Sequence, residues 1–107
     1  RLAIVGAPRD TDRAVGALDA RAGIAKADVV LLFAPDCARL KDGLVAMLAS
    51  APATAILWVA YPKLTSRLAA DLSRDVIRDL APQHGLDTVS QIAIDDDWSA
   101  LRLKRVV

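Results

Sequence analysis

The side chains best placed to do chemistry in this sequence are Lys63, Asp71, Arg74 and Asp75. Lys63 follows Pro62 at the close of an apolar run, which puts an ammonium just past the end of a buried strand. In open α/β sheets, small molecules bind outside the carboxyl ends of the parallel strands. Lys63 and Arg74 are therefore candidate ligands for a small anion, with Asp71 and Asp75 able to pair with Lys63. The competing reading gives the same residues to helix building. Asp71 then caps a helix, Asp75 complements its dipole and Arg74 makes a surface pair.

Other reactive types are less well placed. Cys37, the single cysteine, excludes an internal disulfide and a zinc site with paired thiolates. It stands near the start of an expected helix, but a nucleophilic thiol needs a base, and the single histidine, His84, falls at the far end of a different helix. Cys37 is read as a small, partly buried residue. Asp95, Asp96 and Asp97 are consecutive, so their carboxylates diverge, and with no fourth ligand they read as a solvated turn rather than a metal site. Trp58 and Trp98 are expected to anchor packing, Trp98 with partial exposure because it borders a turn.

These side chains need elements to hold them. Leu2 to Val5 is a short apolar run closed by Gly6-Ala7-Pro8, a strand ending in a turn. A charged loop follows, in which Thr11 or Asp12 caps a helix over Ala14 to Ala20. Arg21 to Lys26, interrupted by Gly23, has room for a short strand. Asp28 to Phe33 is apolar without alternation, as central parallel strands are. Beyond Ala34-Pro35-Asp36, Leu40, Leu44, Met47 and Leu48 form a helical stripe that Ala51-Pro52 stops, with Arg39, Lys41 and Asp42 opposite. Thr54 to Tyr61 is a further buried strand. Leu68, Leu72, Val76 and Leu80, widened by Ile77, predict a helix starting at Asp71 and ending near Gly85 as its left-handed C′ residue. Val89 to Ile94 and Trp98 to Val106, joined by the three aspartates, read as a hairpin. The last strand is then antiparallel to its neighbour, at or near the edge of an open, mostly parallel sheet.

Composition limits what such a domain does. The 107 residues amount to one domain. They are 54% apolar yet only 4% aromatic, so Ala, Leu, Val and Ile must build the core. Fourteen basic against thirteen acidic residues, interspersed, argue against nucleic acid as a partner. No run approaches the roughly 18 apolar residues of a membrane span. With no signal-peptide pattern, a cytoplasmic place is expected.

The order of elements from Ala27 onward resembles the Rossmann-like fold of S-adenosylmethionine-dependent methyltransferases. Three segments, Trp58 to Lys63, Asp71 to Asp75 and the hairpin from Ser90-Gln91-Ile92-Ala93-Ile94-Asp95 to Trp98-Ser99-Ala100-Leu101-Arg102, are similar to a family of small uncharacterised bacterial proteins defined as a domain of unknown function. The resemblance implies a three-layer α/β architecture with a C-terminal antiparallel hairpin; the family implies no activity. The sequence departs from true methyltransferases where the cofactor would lie. The turn after the first strand, Val5-Gly6-Ala7-Pro8-Arg9-Asp10, has one glycine where a G-x-G pattern is expected. Asp19 is the only nearby acid for a ribose and falls in a helical stretch. Phe33-Ala34-Pro35-Asp36 shares one proline with the Asn-Pro-Pro-aromatic motif of amino-methylating enzymes. No cofactor is therefore expected. The functional expectation is a non-catalytic binding or interaction module, with a homodimer as one form. The alternative is an enzyme or binder of a small anionic ligand around Lys63.

Overall fold

The apolar runs form a single five-stranded sheet in the computed structural model, which describes residues 2–5 and 28–106. Strands β1 (Leu2–Val5), β2 (Val29–Phe33) and β3 (Ile56–Pro62) lie side by side and parallel. Helix α1 (Cys37–Ser50) joins β2 to β3. Helix α2 (Arg74–Leu80), prolonged by a 3-10 turn over Ala81–His84, leads to β4 (Leu86–Ala93). Strand β5 (Trp98–Arg105) turns back between β3 and β4, antiparallel to both, giving the order β1-β2-β3-β5-β4. The antiparallel strand thus lies one in from the edge. Two pairings are parallel and two antiparallel, so the described sheet is mixed; β1, β2, β3 and β4 run one way and β5 runs against them, as expected of the hairpin's last strand. The expected Gly6 turn, the helix over 14–20 with its cap, Asp19 and the strand within 21–26 lie outside the described residues.

Alternation along the strands makes two apolar faces. Val30, Leu32, Leu57, Val59, Tyr61, Leu101 and Leu103 face the helices and meet Leu40, Leu44 and Met47 of α1 and Ile77 of α2. Leu31, Phe33, Ala60, Trp98 and Ala100 form the opposite face. Among the described residues both helices cover the first face, so the sheet and this one helical layer make two of the three layers that the resemblance implies. Trp98 is buried rather than partly exposed. It pairs with Pro62 across the ladder, and its ring meets Phe33 edge-on at 5.2 Å, the arrangement aromatic quadrupoles favour.

Both ends of α1 are closed by polar groups. The Asp36 carboxylate accepts from the Arg39 N–H at 2.9 Å, and Arg105 Nη2 donates to the Ala51 carbonyl at 3.1 Å. Gly43 lets this helix sit close on the sheet, since a Cβ there would come within 2.8 Å of Leu32 Cδ1. The start of α2 differs from expectation. Its N-cap is Ser73, whose Oγ accepts from the Val76 N–H at 3.2 Å, and not Asp71. Asp71 is drawn away by a different partner, and Leu68 lies before the helix, 45% exposed. Gly85 has the left-handed conformation expected of it, with φ 71°. β4 begins at Leu86, three residues before the expected Val89, because a bulge between Thr88 and Gln91 breaks the alternation.

Leu40 is fully buried between α1 and the sheet. Leu40→Ala is expected to lower the unfolding free energy by about 2–5 kcal/mol, measured by urea denaturation with an unchanged m-value.

Candidate functional site

A cavity of about 390 Å³ opens at the carboxyl ends of β3 and β4, over the start of the β5 strand between them and on the face that carries the helices. Its floor comes from the sheet. Tyr61 and Ser99 are direct partners across the β3–β5 ladder, and Gln91 reaches in from β4. One wall is Lys63-Leu64-Thr65, just past β3; the other is Ser73-Arg74-Asp75, at the start of α2.

The Lys63 wall is fastened to the hairpin turn. The Lys63 N–H donates to the Asp97 carbonyl at 2.8 Å, continuing the β3–β5 ladder past Pro62. Ser66 Oγ donates to Asp97 Oδ1 at 2.8 Å and accepts from the Leu68 N–H at 3.0 Å. Asp95 Oδ1 accepts from the N–H groups of Asp97 and Trp98, each at 2.8 Å. Asp95 and Asp97 are thus half-buried and bonded in building the turn, while Asp96 alone is exposed as a solvated turn would have it. Among the described residues no acidic, histidine and cysteine side chains group in a way that could hold a metal ion.

Gln91 enters the cavity only because of the bulge. Thr88 pairs with Leu103 and Gln91 with Leu101, so three steps on β4 oppose two on β5. In a regular strand Gln91, three steps from Thr88, would point to the opposite face, and the extra residue returns it to the same one. With it, Gln91 Nε2 donates to Tyr61 Oη at 2.8 Å, and Arg74 Nη1 donates to Gln91 Oε1 at 3.4 Å. Tyr61 is 3% exposed. Burial pushes its phenol above the ordinary value of 10.0, and the nearby Asp75 carboxylate adds to this, while Arg74 and the Gln91 hydrogen bond oppose it.

The structure brings Lys63, Arg74 and Asp75 to one cavity and leaves Asp71 out of it. Asp71 Oδ1 accepts from the Cys37 N–H at 2.7 Å, at the start of α1. The expected pairing of Lys63 with Asp71 or Asp75 does not form. Asp75 instead meets Arg78 at 3.4 Å on the exposed side of α2, and no described carboxylate lies within ion-pair distance of Lys63. Cys37 follows the carboxyl end of β2, whereas His84 precedes the amino end of β4, which runs the same way. The thiol and the imidazole therefore belong to opposite ends of the sheet. Sequence reasoning missed Tyr61, Ser73, Gln91 and Ser99. Tyr61 was within reach, two residues past Val59 on the same face; Gln91 was not, because nothing in the sequence marks the bulge.

Comparison with known proteins places this architecture. Residues 11–106 match the family described as Protein of unknown function (DUF3052). The chain belongs to the DUF3052 family. No curated protein matches it. The DUF3052 chain is similar in fold to methyltransferases of known structure. For the ribosomal protein L11 methylase from Lactobacillus delbrueckii subsp. bulgaricus the TM-score is 0.54 at 11% identity, covering 99% of this chain and 57% of that one. For the fibrillarin pre-rRNA processing protein of Methanococcus jannaschii it is 0.55 at 12% identity, covering 97% and 55%. For the N-methyltransferase NodS from Bradyrhizobium japonicum WM9 it is 0.51 at 15%, covering 99% and 73%. The DUF3052 chain thus spans little more than half the length of the first two, and at these identities the likeness concerns the fold alone. No helix among its described residues is long and apolar enough to cross a membrane.

Two outcomes follow from this geometry. Asp71→Ala removes an acceptor from the first turn of α1 and should cost about 1 kcal/mol in denaturant melts. Tyr61 binds its proton more tightly folded than unfolded, so its share of stability is complete below the unfolded pKa near 10.0 and falls as pH rises from there through the raised folded value. Unfolding free energies measured across that alkaline window should drop less in Tyr61→Phe than in the unaltered protein.

Proposed function

We propose that this DUF3052 domain is a non-catalytic binding module on a reduced, Rossmann-like methyltransferase sheet, and that its ligand is a small anion held by Lys63 and Arg74. The observation that carries this reading is the state of Lys63. The residue is half-buried and lines a cavity at the strand ends together with Arg74, with no described carboxylate within ion-pair distance. An unpaired cation in a partly desolvated place gains more from an incoming anion than an exposed one does. The separation of Cys37 from His84 supports a role without covalent catalysis. The single glycine of Gly6-Ala7-Pro8 supports one without S-adenosylmethionine. A cytoplasmic location accompanies this reading.

A second reading, a homodimer, has one observation in its favour. β4 is an outer strand of the described sheet, and its Val89 and Ile92 are 50% and 52% exposed.

A thermal-shift screen of nucleotides, S-adenosylmethionine and small organic anions tests both. An anion at a hundredfold its Kd should add about 2.7 kcal/mol of stability, and Lys63→Ala should remove that gain while remaining folded. Silence from every compound, with a dimer by sedimentation, would replace the first reading by the second. A shift with S-adenosylmethionine would overturn the exclusion of that cofactor.

A further inference from the structure

We infer that the ligand is a carboxylate, its charge on Lys63 and one of its oxygens accepting the Tyr61 hydroxyl proton, with Gln91 as the positioning residue that sets this polarity. The inference rests on the anion-site reading and adds to it which anion, and why.

The hydrogen bonds of the cavity floor run in one direction. A guanidinium only donates, so Arg74 Nη1 must meet the oxygen of the Gln91 amide, and the long 3.4 Å contact still sets which way that amide faces. Its Nε2 is thereby turned to Tyr61 Oη, where it donates at 2.8 Å. A phenol that accepts on one side keeps its own proton for another partner, and no described residue takes it. Tyr61 is 3% exposed and lines the cavity, so an acceptor for that proton must come from what enters there. A buried donor without an acceptor is costly, and a ligand that supplies one recovers the cost. Burial keeps the phenol protonated, hence a donor, at any physiological pH.

Charge narrows the class further. Lys63 and Arg74 are the cations of the lining and Asp75 is its one carboxylate, a balance that suits a single negative charge. A phosphate monoester, mostly dianionic at neutral pH, would bring its second charge against Asp75. A neutral amide of the same shape would leave Lys63 uncompensated.

Benzoate, phenyl phosphate and benzamide share a ring and differ in head group, and amide NMR titrations of the whole chain compare them. Benzoate should bind saturably, shifting Lys63, Tyr61 and the Gln91 side chain, with phenyl phosphate weaker and benzamide at least about tenfold weaker, as for loss of a charged hydrogen bond. Tyr61→Phe should raise the benzoate Kd about tenfold or more on the same ground. In Gln91→Leu, which adds no charge, Tyr61 Oη loses its donor and is open to accept from a ligand N–H, so the preference for benzoate over benzamide should collapse. A merely structural role for Gln91 would weaken both ligands alike, and this ratio stays readable if Tyr61→Phe fails to fold. Equal benzoate binding by unaltered protein and folded Tyr61→Phe, lost in Lys63→Ala, overturns the donor role of Tyr61 and leaves the anion site standing. Tighter binding of phenyl phosphate overturns the carboxylate. Failure of all three compounds to bind the unaltered protein overturns the anion site itself.

Discussion

The antiparallel ladder between β3 and β5 is the contact on which the rest of the molecule depends. It runs from Leu57 opposite Leu103 to Pro62 opposite Trp98, and the Lys63 N–H extends it to the Asp97 carbonyl. Because β5 is inserted between β3 and β4, the chain must leave β3, build α2, lay down β4 at a distance and only then close the gap. A single ladder thus joins the parallel half of the sheet to the hairpin. It also sets Tyr61 beside Ser99 and the Lys63 loop beside the aspartate turn. Removing its hydrogen bonds would dissolve the cavity and the core together.

The packing around that ladder explains why so few aromatics suffice. Aliphatic side chains from alternate strand positions fill the helix face, and the Gly43 notch lets α1 lie against Leu32 without a gap. The aromatic contact between Phe33 and Trp98 is kept for the opposite face, where it ties β2 to the first residue of β5. Tyr61 is the exception on the helix face. Its ring belongs to the core, while its hydroxyl belongs to the cavity, which is how one side chain serves both stability and a polar site.

The likeness to methyltransferases and the character of the site are separate facts. Fold likeness at such low identity carries no chemistry with it, because function lives in sites grafted onto folds. What this DUF3052 chain places at its strand ends is a pair of cations over a floor of neutral hydrogen-bonding groups. Asp75 lines the cavity and also meets Arg78, and it lies beyond ion-pair distance of Lys63. The aspartate run, which reads in isolation as a bare turn, serves as the brace that holds the lysine wall.

The sequence by itself determined what depends on neighbours along the chain. Apolar periodicity marked β2, α1 and β3, Ala51-Pro52 marked the end of α1, Gly85 marked a left-handed residue, and three aspartates between apolar runs marked the hairpin. It also brought Lys63, Arg74 and Asp75 forward, since a cation after a strand-ending proline and charges at a helix start are local patterns. The tertiary structure alone decided the contacts between distant residues. Asp71 meets Cys37 across 34 positions, Ser66 meets Asp97 across 31, and Gln91 meets Tyr61 across 30. These could not be read in advance: the Ser66 contact depends on where β5 is inserted, and the Gln91 contact depends also on one extra residue in β4, whose effect is to reverse the face of every side chain beyond it. Asp71 shows the difference most simply. It is as good a helix cap as Ser73 by type and position, and only the packing of α1 against the loop decided that it would serve the other helix.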